Sequence, residues 1–305
     1  MTLAIAVVTP RVACVAADRR YSGVGALRDT LGTKLCRVDT SDSNGFMTYA
    51  GVGARAYQQP LEVSRWLTNV LRGYNRTLEQ TLEHVRSAAT RQGLLRLQAG
   101  HSFLYAGFRN GQPTIQMVTG QDGITMKQFA RQRTLERHAL QGSGFKRVNL
   151  NMGERSVATF AIGSGAPLMD QAMVLQGIRS ARRLKHNYEE GGRLATVLSH
   201  VIRAVSKLEP TVGPEVVCAW TYAGGGGSHV HYDSQGRRAG NGEGIPSVER
   251  GFPMSEMFEL IAPMLFSQMN DLMAATEAGI PIPQPDMSEV NEALRGLKRD
   301  PNEKF

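Results

Sequence analysis

Short apolar runs alternate with turn-forming residues along the first fifty positions of the chain. Proline, glycine or small polar residues separate these runs, as is typical of strands joined by tight turns. The runs cover Leu3–Thr9, Val12–Ala17, Thr33–Val38 and Phe46–Ala50. The pattern therefore predicts an antiparallel sheet at the start of the chain.

Helical spacing follows this sheet. One helix is predicted from about Ala54 to Leu71, and another begins after Thr77, where Gln80 completes a capping box. Strand patterns then return on both sides of Asn110-Gly111, a dipeptide that favours a two-residue hairpin turn. We expect a second sheet to begin with this hairpin, whose strands are Ser102–Phe108 and Thr114–Val118.

The next part of the chain repeats the order of a strand, two helices and two strands. The longer helix carries apolar residues at the i, i+3, i+4, i+7 spacing of a buried face. The predicted elements are a strand at Val157–Ile162, helices at Ala166–Ile178 and Asn187–Leu208, and strands at Glu215–Tyr222 and Ser228–Tyr232. Two face-to-face sheets between helix pairs would bury every apolar face, which predicts an α+β, four-layer α-β-β-α sandwich.

Residues 2–235 are expected to form this one domain, and residues 236–305 a C-terminal extension. The extension reads as a glycine-rich loop at Gly236–Gly251 and a methionine-rich helix at Met254–Met273, which Pro263 should kink. A proline-rich linker at Pro281–Pro285 and a short charged tail follow. The exposed half of the helix could hold another subunit.

Composition narrows the class of protein. The chain has 305 residues, 41% of them hydrophobic, with 20% charged residues and a formal charge of +8, which excludes a disordered chain. The apolar runs are too short for membrane helices, and Pro10-Arg11 interrupts the only stretch that resembles a signal peptide. The three cysteines, Cys14, Cys36 and Cys218, form no CxxC motif. Their apolar surroundings favour a reducing cytoplasmic location over a disulfide framework.

Candidate chemistry begins at Thr2, which becomes the N-terminal residue once Met1 is removed. An N-terminal threonine carries its own base, because the free α-amine can accept the hydroxyl proton near neutral pH. Asp18 ends the second predicted strand and Lys34 begins the third. Neighbouring strands can bring Asp18 and Lys34 to one sheet end, although the two could equally form a structural ion pair.

Several motifs together resemble proteasome β-type subunits, which are N-terminal-nucleophile threonine hydrolases. They are Thr2-Leu3, Ala16-Ala17-Asp18-Arg19-Arg20, Thr33-Lys34 and Ala50-Gly51-Val52-Gly53. Among bacterial homologues, Thr211-Val212-Gly213-Pro214 is similar to a Ser-Val-Gly-Pro segment of the Anbu/HslV-like group. The resemblance covers about residues 2–235 in element order.

The resemblance implies roles for single residues. Thr2 would be the nucleophile, Lys34 would lower its pKa and Asp18 would orient Lys34. The backbone N–H of Gly51 would donate to the oxyanion. Ser164 would contact the amine of the nucleophile, and Thr211 would replace a second family serine.

Two further features concern the surroundings of the implied site. The family aspartate three residues before the second serine is replaced by Leu208, with Glu209 one step away. Substrate-binding roles are implied for Arg20, Tyr21 and Cys36.

The implied activity is that of a self-compartmentalising threonine endopeptidase that assembles in homo-oligomeric stacked rings. Its substrate would be unfolded protein or peptide, an ATP-dependent unfoldase could supply it, and no cofactor is expected. A non-peptide amide hydrolase of the same fold remains an alternative. A non-catalytic ring scaffold with retained Met1 is another.

Two other features have plainer interpretations. His229, His231 and Asp233 could line one strand face as metal ligands, but a solvated face is favoured and no metal site is assigned. Basic stretches at Lys127–Arg147 and Arg179–Lys185 could attract nucleic acid. Solvated helix faces or subunit contacts are favoured there, because no nucleic-acid-reading motif accompanies them.

Overall fold

The structure is a computed structural model of the 305-residue chain. It describes residues 3–20, 32–51, 63–91, 101–120, 145–150, 157–239, 244–281 and 287–298. The strands are β1 Ala4–Val8, β2 Val12–Asp18, β3 Leu35–Asp39, β4 Ser43–Ala50, β5 Ser102–Arg109, β6 Gln112–Thr119, β7 Lys146–Leu150, β8 Ala158–Ile162, β9 Val216–Tyr222, β10 Gly227–Tyr232, β11 Arg238–Ala239, β12 Ser247–Glu249 and β13 Phe252–Pro253. The α-helices are α1 Val63–Leu71, α2 Leu78–Arg91, α3 Gln171–Ala181, α4 Asn187–Ser206, α5 Met254–Glu277 and α6 Ser288–Lys298.

Two sheets account for all of these strands. The first has the order β11-β10-β9-β2-β1-β8, and every neighbouring pair in it is antiparallel. The second has the order β13-β12-β3-β4-β5-β6-β7, in which only the β12–β3 pair is parallel. The described part of the chain is therefore an α+β fold with two sheets.

The expectation that the first four strands share a sheet is wrong. The hairpin β1–β2 lies in the first sheet, whereas β3–β4 belongs to the second sheet and pairs with the later hairpin β5–β6. Strand β4 pairs with β5 along its whole length, from Ser43↔Arg109 to Ala50↔Ser102. Apolar alternation identifies strands but not their partners, because backbone hydrogen bonds carry no sequence information.

Local turn chemistry agrees with the sequence at two places. Asn110 and Gly111 have φ angles of 49° and 76°, the left-handed conformation that a tight β5–β6 turn requires. At the start of α2, Gln80 Oε1 accepts from the Thr77 N–H at 3.0 Å, and Thr77 Oγ1 accepts from the Gln80 N–H at 3.3 Å. The predicted capping box is confirmed.

Three apolar clusters hold the elements together. The first lies between α3–α4 and one face of the first sheet, and includes Leu3, Ile5 and Leu198. The second lies between the two sheets, and the third between the second sheet and α1–α2. Because β1 and β2 contribute to two clusters, both faces of these strands are buried, which explains their continuous apolar runs.

The chain after β6 contains elements that the patterns miss. The predicted loop at Gly236–Gly251 includes the short strands β11 and β12, and β12 extends the second sheet beside β3. The predicted charged tail contains α6, and the region before Val157 contains β7. Helix α5 continues through Pro263 as far as Glu277.

Other expectations fall partly outside the described residues. Of the helix predicted from Ala54, the part from Val63 is described, and the linker at 282–286 is not. The described helices include none with the length and apolar character that crossing a membrane would require.

Candidate active site

The carboxylate of Asp18, at the end of β2, accepts hydrogen bonds from four nitrogen donors of the described residues. Asp18 Oδ1 accepts from the backbone N–H of Leu3 at 2.8 Å. Asp18 Oδ2 accepts from Lys34 Nζ at 3.0 Å, from the Gly213 N–H at 3.1 Å and from the Arg20 N–H at 3.2 Å. The side chain is fully buried. Its negative charge is thus compensated by an ammonium and by three backbone donors.

The ammonium of Lys34 lies between the carboxylate of Asp18 and the backbone of Arg20. Besides Asp18, Lys34 Nζ donates to the carbonyl oxygen of Arg20 at 2.5 Å, and its side chain is only 3% exposed. Burial lowers the pKa of Lys34, while the charge and hydrogen bond of Asp18 oppose that shift. Asp18 and Lys34 come together as a buried and directly bonded pair. The expectation that they meet at the end of one sheet is wrong, because β2 belongs to the first sheet and Lys34 precedes β3 of the second.

A second polar group consists of hydroxyls that end on a carboxylate. Ser164 Oγ and Thr211 Oγ1 lie 3.0 Å apart, and Thr211 Oγ1 donates to Glu209 Oε1 at 2.5 Å. The Thr211 N–H donates to the same oxygen at 3.2 Å. These hydrogen bonds from Thr211 lower the pKa of Glu209. Because the Thr211 hydroxyl donates to Glu209, the Ser164 hydroxyl donates to Thr211, and Ser164 Oγ retains acceptor capacity.

The segment from Glu209 to Gly213 joins the two groups. Arg20 Nη1 donates to the carbonyl oxygen of Pro210 at 2.9 Å, and the Gly213 N–H donates to Asp18. A Cβ atom at position 213 would lie 2.6 Å from Arg20 Cβ, so only glycine allows this approach. The segment from Glu209 to Gly213 therefore connects the hydroxyl chain to the buried ion pair.

The structure places the carboxylate of Glu209, and not the side chain of Leu208, at the hydroxyl of Thr211. Leu208 is 67% exposed, whereas Glu209 accepts from the Thr211 hydroxyl. The resemblance noted in the sequence points to the position three residues before Thr211, and it therefore misses this contact. A carboxylate two residues before a threonine can accept from both its N–H and its hydroxyl, and that is the signal the sequence carries.

Gly51 lies at the end of β4 beside two side chains that sequence analysis does not single out. Tyr49 Oη and His101 Nδ1 form a short hydrogen bond. A Cβ atom at position 51 would lie 2.5 Å from Tyr49 Oη and 2.6 Å from His101 Nδ1. Burial lowers the pKa of His101 to about 4, so its imidazole is neutral at pH 7. Tyr49 and His101 leave room for no side chain at Gly51.

Of the remaining predicted site residues, Cys36 lies elsewhere in the fold, and Thr2 and Tyr21 are not among the described residues. Cys36 is fully buried in the cluster beside α1–α2, and burial raises the pKa of its thiol to about 12. Its Sγ donates to the carbonyl oxygen of Arg37 at 3.4 Å.

The histidines of β10 are arranged edge to face. The rings of His229 and His231 are 5.7 Å apart between centroids, and burial lowers the pKa of His229. Asp233 accepts instead from Arg237 Nε at 2.9 Å. Over the described ranges, no group of three His, Cys, Asp or Glu side chains is placed to hold a metal ion.

Comparison with known proteins gives matches only among solved structures. No family model matches the chain, and no curated protein does. The Anbu (Gly-1) mutant from Hyphomicrobium sp. strain MC1 matches with a TM-score of 0.46 and 14% identity, covering 76% of this chain and 87% of that one. Anbu from the same strain matches with a TM-score of 0.46 and 12% identity, covering 75% of this chain and 86% of that one. Anbu (ancestral beta-subunit) from Yersinia bercovieri matches with a TM-score of 0.40 and 12% identity, covering 72% of this chain and 81% of that one. A likeness at this level does not assign the chain to a family.

Proposed function

We propose that this protein is an N-terminal-nucleophile threonine hydrolase, with Thr2 as the nucleophile after removal of Met1. The observation that carries the proposal is the double use of Asp18. One carboxylate oxygen accepts from the N–H of Leu3, the residue covalently joined to Thr2, and the other accepts from Lys34 Nζ. The same carboxylate thus fixes the chain next to the nucleophile and a buried cation.

The proposed reaction proceeds through an acyl-enzyme. The Thr2 hydroxyl loses its proton to the free α-amine as Thr2 Oγ1 bonds to the substrate carbonyl carbon. The amide C–N bond then breaks, and the leaving nitrogen takes that proton. Water, deprotonated by the same amine, attacks the ester, releases the acid product and returns the proton to Thr2 Oγ1.

The buried cation would assist the first step by electrostatics. A positive charge close to the hydroxyl stabilises the developing alkoxide, and this effect is stronger in a site that excludes water. Asp18 and the carbonyl oxygen of Arg20 hold Lys34 Nζ in place. The N–H of Gly51 is the proposed donor to the oxyanion, and Arg20 and Tyr21 remain the proposed substrate-binding residues. The side chain of Cys36 is fully buried in the cluster beside α1–α2, which argues against the substrate-binding role expected for it.

The hydroxyl chain would position the amine. Ser164 Oγ keeps acceptor capacity because its proton is directed to Thr211, whose proton is directed to Glu209. Such an oxygen can accept from an N–H of the free α-amine and so direct the amine's lone pair toward the Thr2 hydroxyl. Glu209 thereby determines the direction of the hydrogen bonds from Ser164 to Thr211 and from Thr211 to Glu209.

We further propose that the substrate is a peptide bond in unfolded protein or peptide, and that residues 2–235 form a four-layer α-β-β-α domain. The three apolar clusters between successive layers support that layering. Stacked homo-oligomeric rings, an ATP-dependent unfoldase partner and a cytoplasmic location complete the proposal.

The test is the intact mass of the protein from its own cells, followed by treatment with a β-lactone that acylates nucleophilic hydroxyls. We expect loss of Met1 and one added acyl group, located on Thr2 by peptide mapping. Thr2→Ser should still be labelled, whereas Thr2→Ala should not. A native mass that retains Met1, with no label on the wild type, would contradict the proposal and favour a non-catalytic scaffold.

Substrate class is tested separately. Active protein should hydrolyse an unfolded protein and short peptides, and Thr2→Ala should not. Hydrolysis of simple acyl-amides without cleavage of either peptide substrate would overturn the peptidase assignment, while leaving the nucleophile in place.

A further inference from the structure

The C-terminal helices expose an unusual amount of apolar surface. Of the 24 residues in α5, Ile261 is the only buried one. Eight of the thirteen large apolar side chains that are exposed in the described residues lie between positions 258 and 287. They are Phe258, Leu260, Leu265, Phe266, Met269, Met273, Ile280 and Met287. Such a concentration of exposed apolar side chains on one segment is typical of a region that a partner covers.

The same region has a charge opposite to that of the rest of the chain. Residues 254–305 hold four of the 35 basic residues and nine of the 27 acidic ones. Helix α5 itself contains no Lys or Arg. Glu256 is paired with Arg72 at 2.6 Å, whereas Glu259, Asp271 and Glu277 are exposed. Helix α5 is therefore both apolar and acidic.

A surface of complementary character lies on the α3–α4 layer, which covers the first sheet. Only five large apolar side chains are exposed among the described residues before 254, and four of them flank or belong to these helices. Those four are Leu168, Met173, Tyr188 and Leu208. The exposed basic residues of the same layer include Arg179, Arg182, Arg183 and Lys185. This layer is therefore both apolar and basic.

We propose that α5 of one copy docks on the α3–α4 layer of a second copy of this chain. Within one copy α5 packs on β12, β13 and α6, and this packing leaves its apolar side chains exposed. Docking would bury apolar surface on both sides and bring the acidic α5 to the basic layer. Because the two surfaces are different parts of the molecule, the contact is head-to-tail, and repetition gives a ring or an open helical array.

The first test removes apolar surface from α5. Sedimentation of the full chain over a range of concentrations should show association of the wild type. Phe266→Glu should raise the apparent dissociation constant at least about tenfold. The matched control is Tyr74→Glu, since Tyr74 and Phe266 are both 63% exposed aromatic residues and Tyr74 lies outside both surfaces. Circular dichroism and a denaturant midpoint check that each variant is folded.

The second test exchanges charges between the surfaces. Converting Glu259, Asp271 and Glu277 to Lys should weaken association, and so should converting Arg179, Arg183 and Lys185 to Glu. Because all copies are identical, a chain that carries all six changes restores opposite charges across the contact. It should associate at least about tenfold more tightly than either three-fold variant.

Several results would overturn the proposal. A wild type that remains monomeric at all concentrations would do so, as would a six-fold variant that stays dissociated. Association that responds to Phe266→Glu but not to charge reversal on α3–α4 would indicate pairing of α5 with itself. None of these results bears on labelling of Thr2, so this proposal and the proposed hydrolase can fail independently.

Discussion

At the scale of single residues, Asp18 shows how a buried charge can be stable. Among the described residues, its carboxylate accepts from one ammonium and from three backbone N–H groups. These belong to Leu3 near the chain start, to Arg20 just after β2 and to Gly213, which is distant in sequence. Loss of either partner of such a pair leaves an uncompensated charge, which costs about 3–5 kcal/mol. The site is therefore also a structural connection between the chain start, β2 and the turn at Gly213.

The hydroxyl chain gives a prediction at Thr211. Thr211→Val keeps the shape of the side chain but removes the hydroxyl between Ser164 and Glu209. We expect it to lower kcat for peptide hydrolysis by about ten- to hundredfold, because Ser164 loses the acceptor that directs its proton and its oxygen is no longer held as an acceptor for the amine. Thr211→Ser should retain most of the activity, since its hydroxyl can make both hydrogen bonds. Equal activity of the two variants would exclude a role for this hydroxyl.

A second residue-scale prediction concerns His101 and pH. The pKa of His101 is lowered from 6.5 to about 4 by burial, so the unfolded chain binds more protons between these values. The free energy of unfolding should therefore rise with pH across this window, and acidification from about pH 6.5 to 4 should cost about 2–3 kcal/mol through this group.

Denaturant unfolding at several pH values measures the effect. His101→Gln should show a weaker dependence of the free energy of unfolding on pH than the wild type across this window. The matched control, His200→Gln, changes an exposed histidine of α4 and should leave the pH dependence unaltered. Parallel curves for wild type and His101→Gln would contradict the prediction.

At the scale of elements, the sequence predicts individual strands and helices much better than their neighbours. The capping box at Thr77 and the Asn110-Gly111 turn follow from local chemistry, and both occur in the structure. The assignment of β3–β4 to the first sheet is wrong, because the choice of strand partner depends on distant residues. Similarly, Asp18 and Lys34 are found from motif spacing, whereas the contact between Glu209 and Thr211 depends on the local path of one turn.

Helix α4 is tied to the β1–β2 turn by a buried carboxylate. Glu190, fully buried at the start of α4, accepts from Thr9 Oγ1 at 2.8 Å and forms an ion pair with Arg11. Arg11 also donates to the carbonyl oxygens of Leu184 and Lys185, at 2.9 and 3.1 Å. Arg11 of the β1–β2 turn thus contacts the α3–α4 connection directly and α4 through Glu190.

This connection predicts a large effect of Glu190→Ala on stability. The variant leaves the Thr9 hydroxyl and the Arg11 guanidinium without their carboxylate, and we expect the free energy of unfolding to fall by about 3 kcal/mol. Glu189→Ala is the matched control, because the neighbouring glutamate is exposed and should change stability by less than about 1 kcal/mol. Urea denaturation of both variants makes the comparison. Similar losses from the two variants would show that the connection contributes little.

At the scale of the whole molecule, the two sheets differ in the size of the side chains that meet between them. The first sheet contributes mainly alanine and valine to the shared cluster, together with Phe160 and Ile162 of β8, and the second contributes mainly larger residues such as Phe46 and Phe108. Small residues on one face accommodate large ones on the other, which allows close packing across the interface. Because this cluster belongs to both sheets, neither sheet can separate without exposing it.

The cysteines offer a measurement of that coupling. Cys14 and Cys218 are buried in the cluster beside α3–α4, and Cys36 is buried in the cluster beside α1–α2. Burial raises the pKa of all three thiols, which disfavours the reactive thiolate in the folded state. A disulfide reagent should therefore modify none of them in the native protein and all of them in denaturant.

The order of modification in partial denaturant distinguishes two kinds of unfolding. If the shared cluster makes the two sheets one cooperative unit, all three cysteines should become reactive at the same denaturant concentration, as followed by peptide mapping. Cys36→Ala is the control variant. In it, Cys14 and Cys218 should become reactive at the same denaturant concentration as in the wild type. Earlier modification of Cys36 would show that the α1–α2 side opens alone, and residues 2–235 would then not behave as a single folding unit.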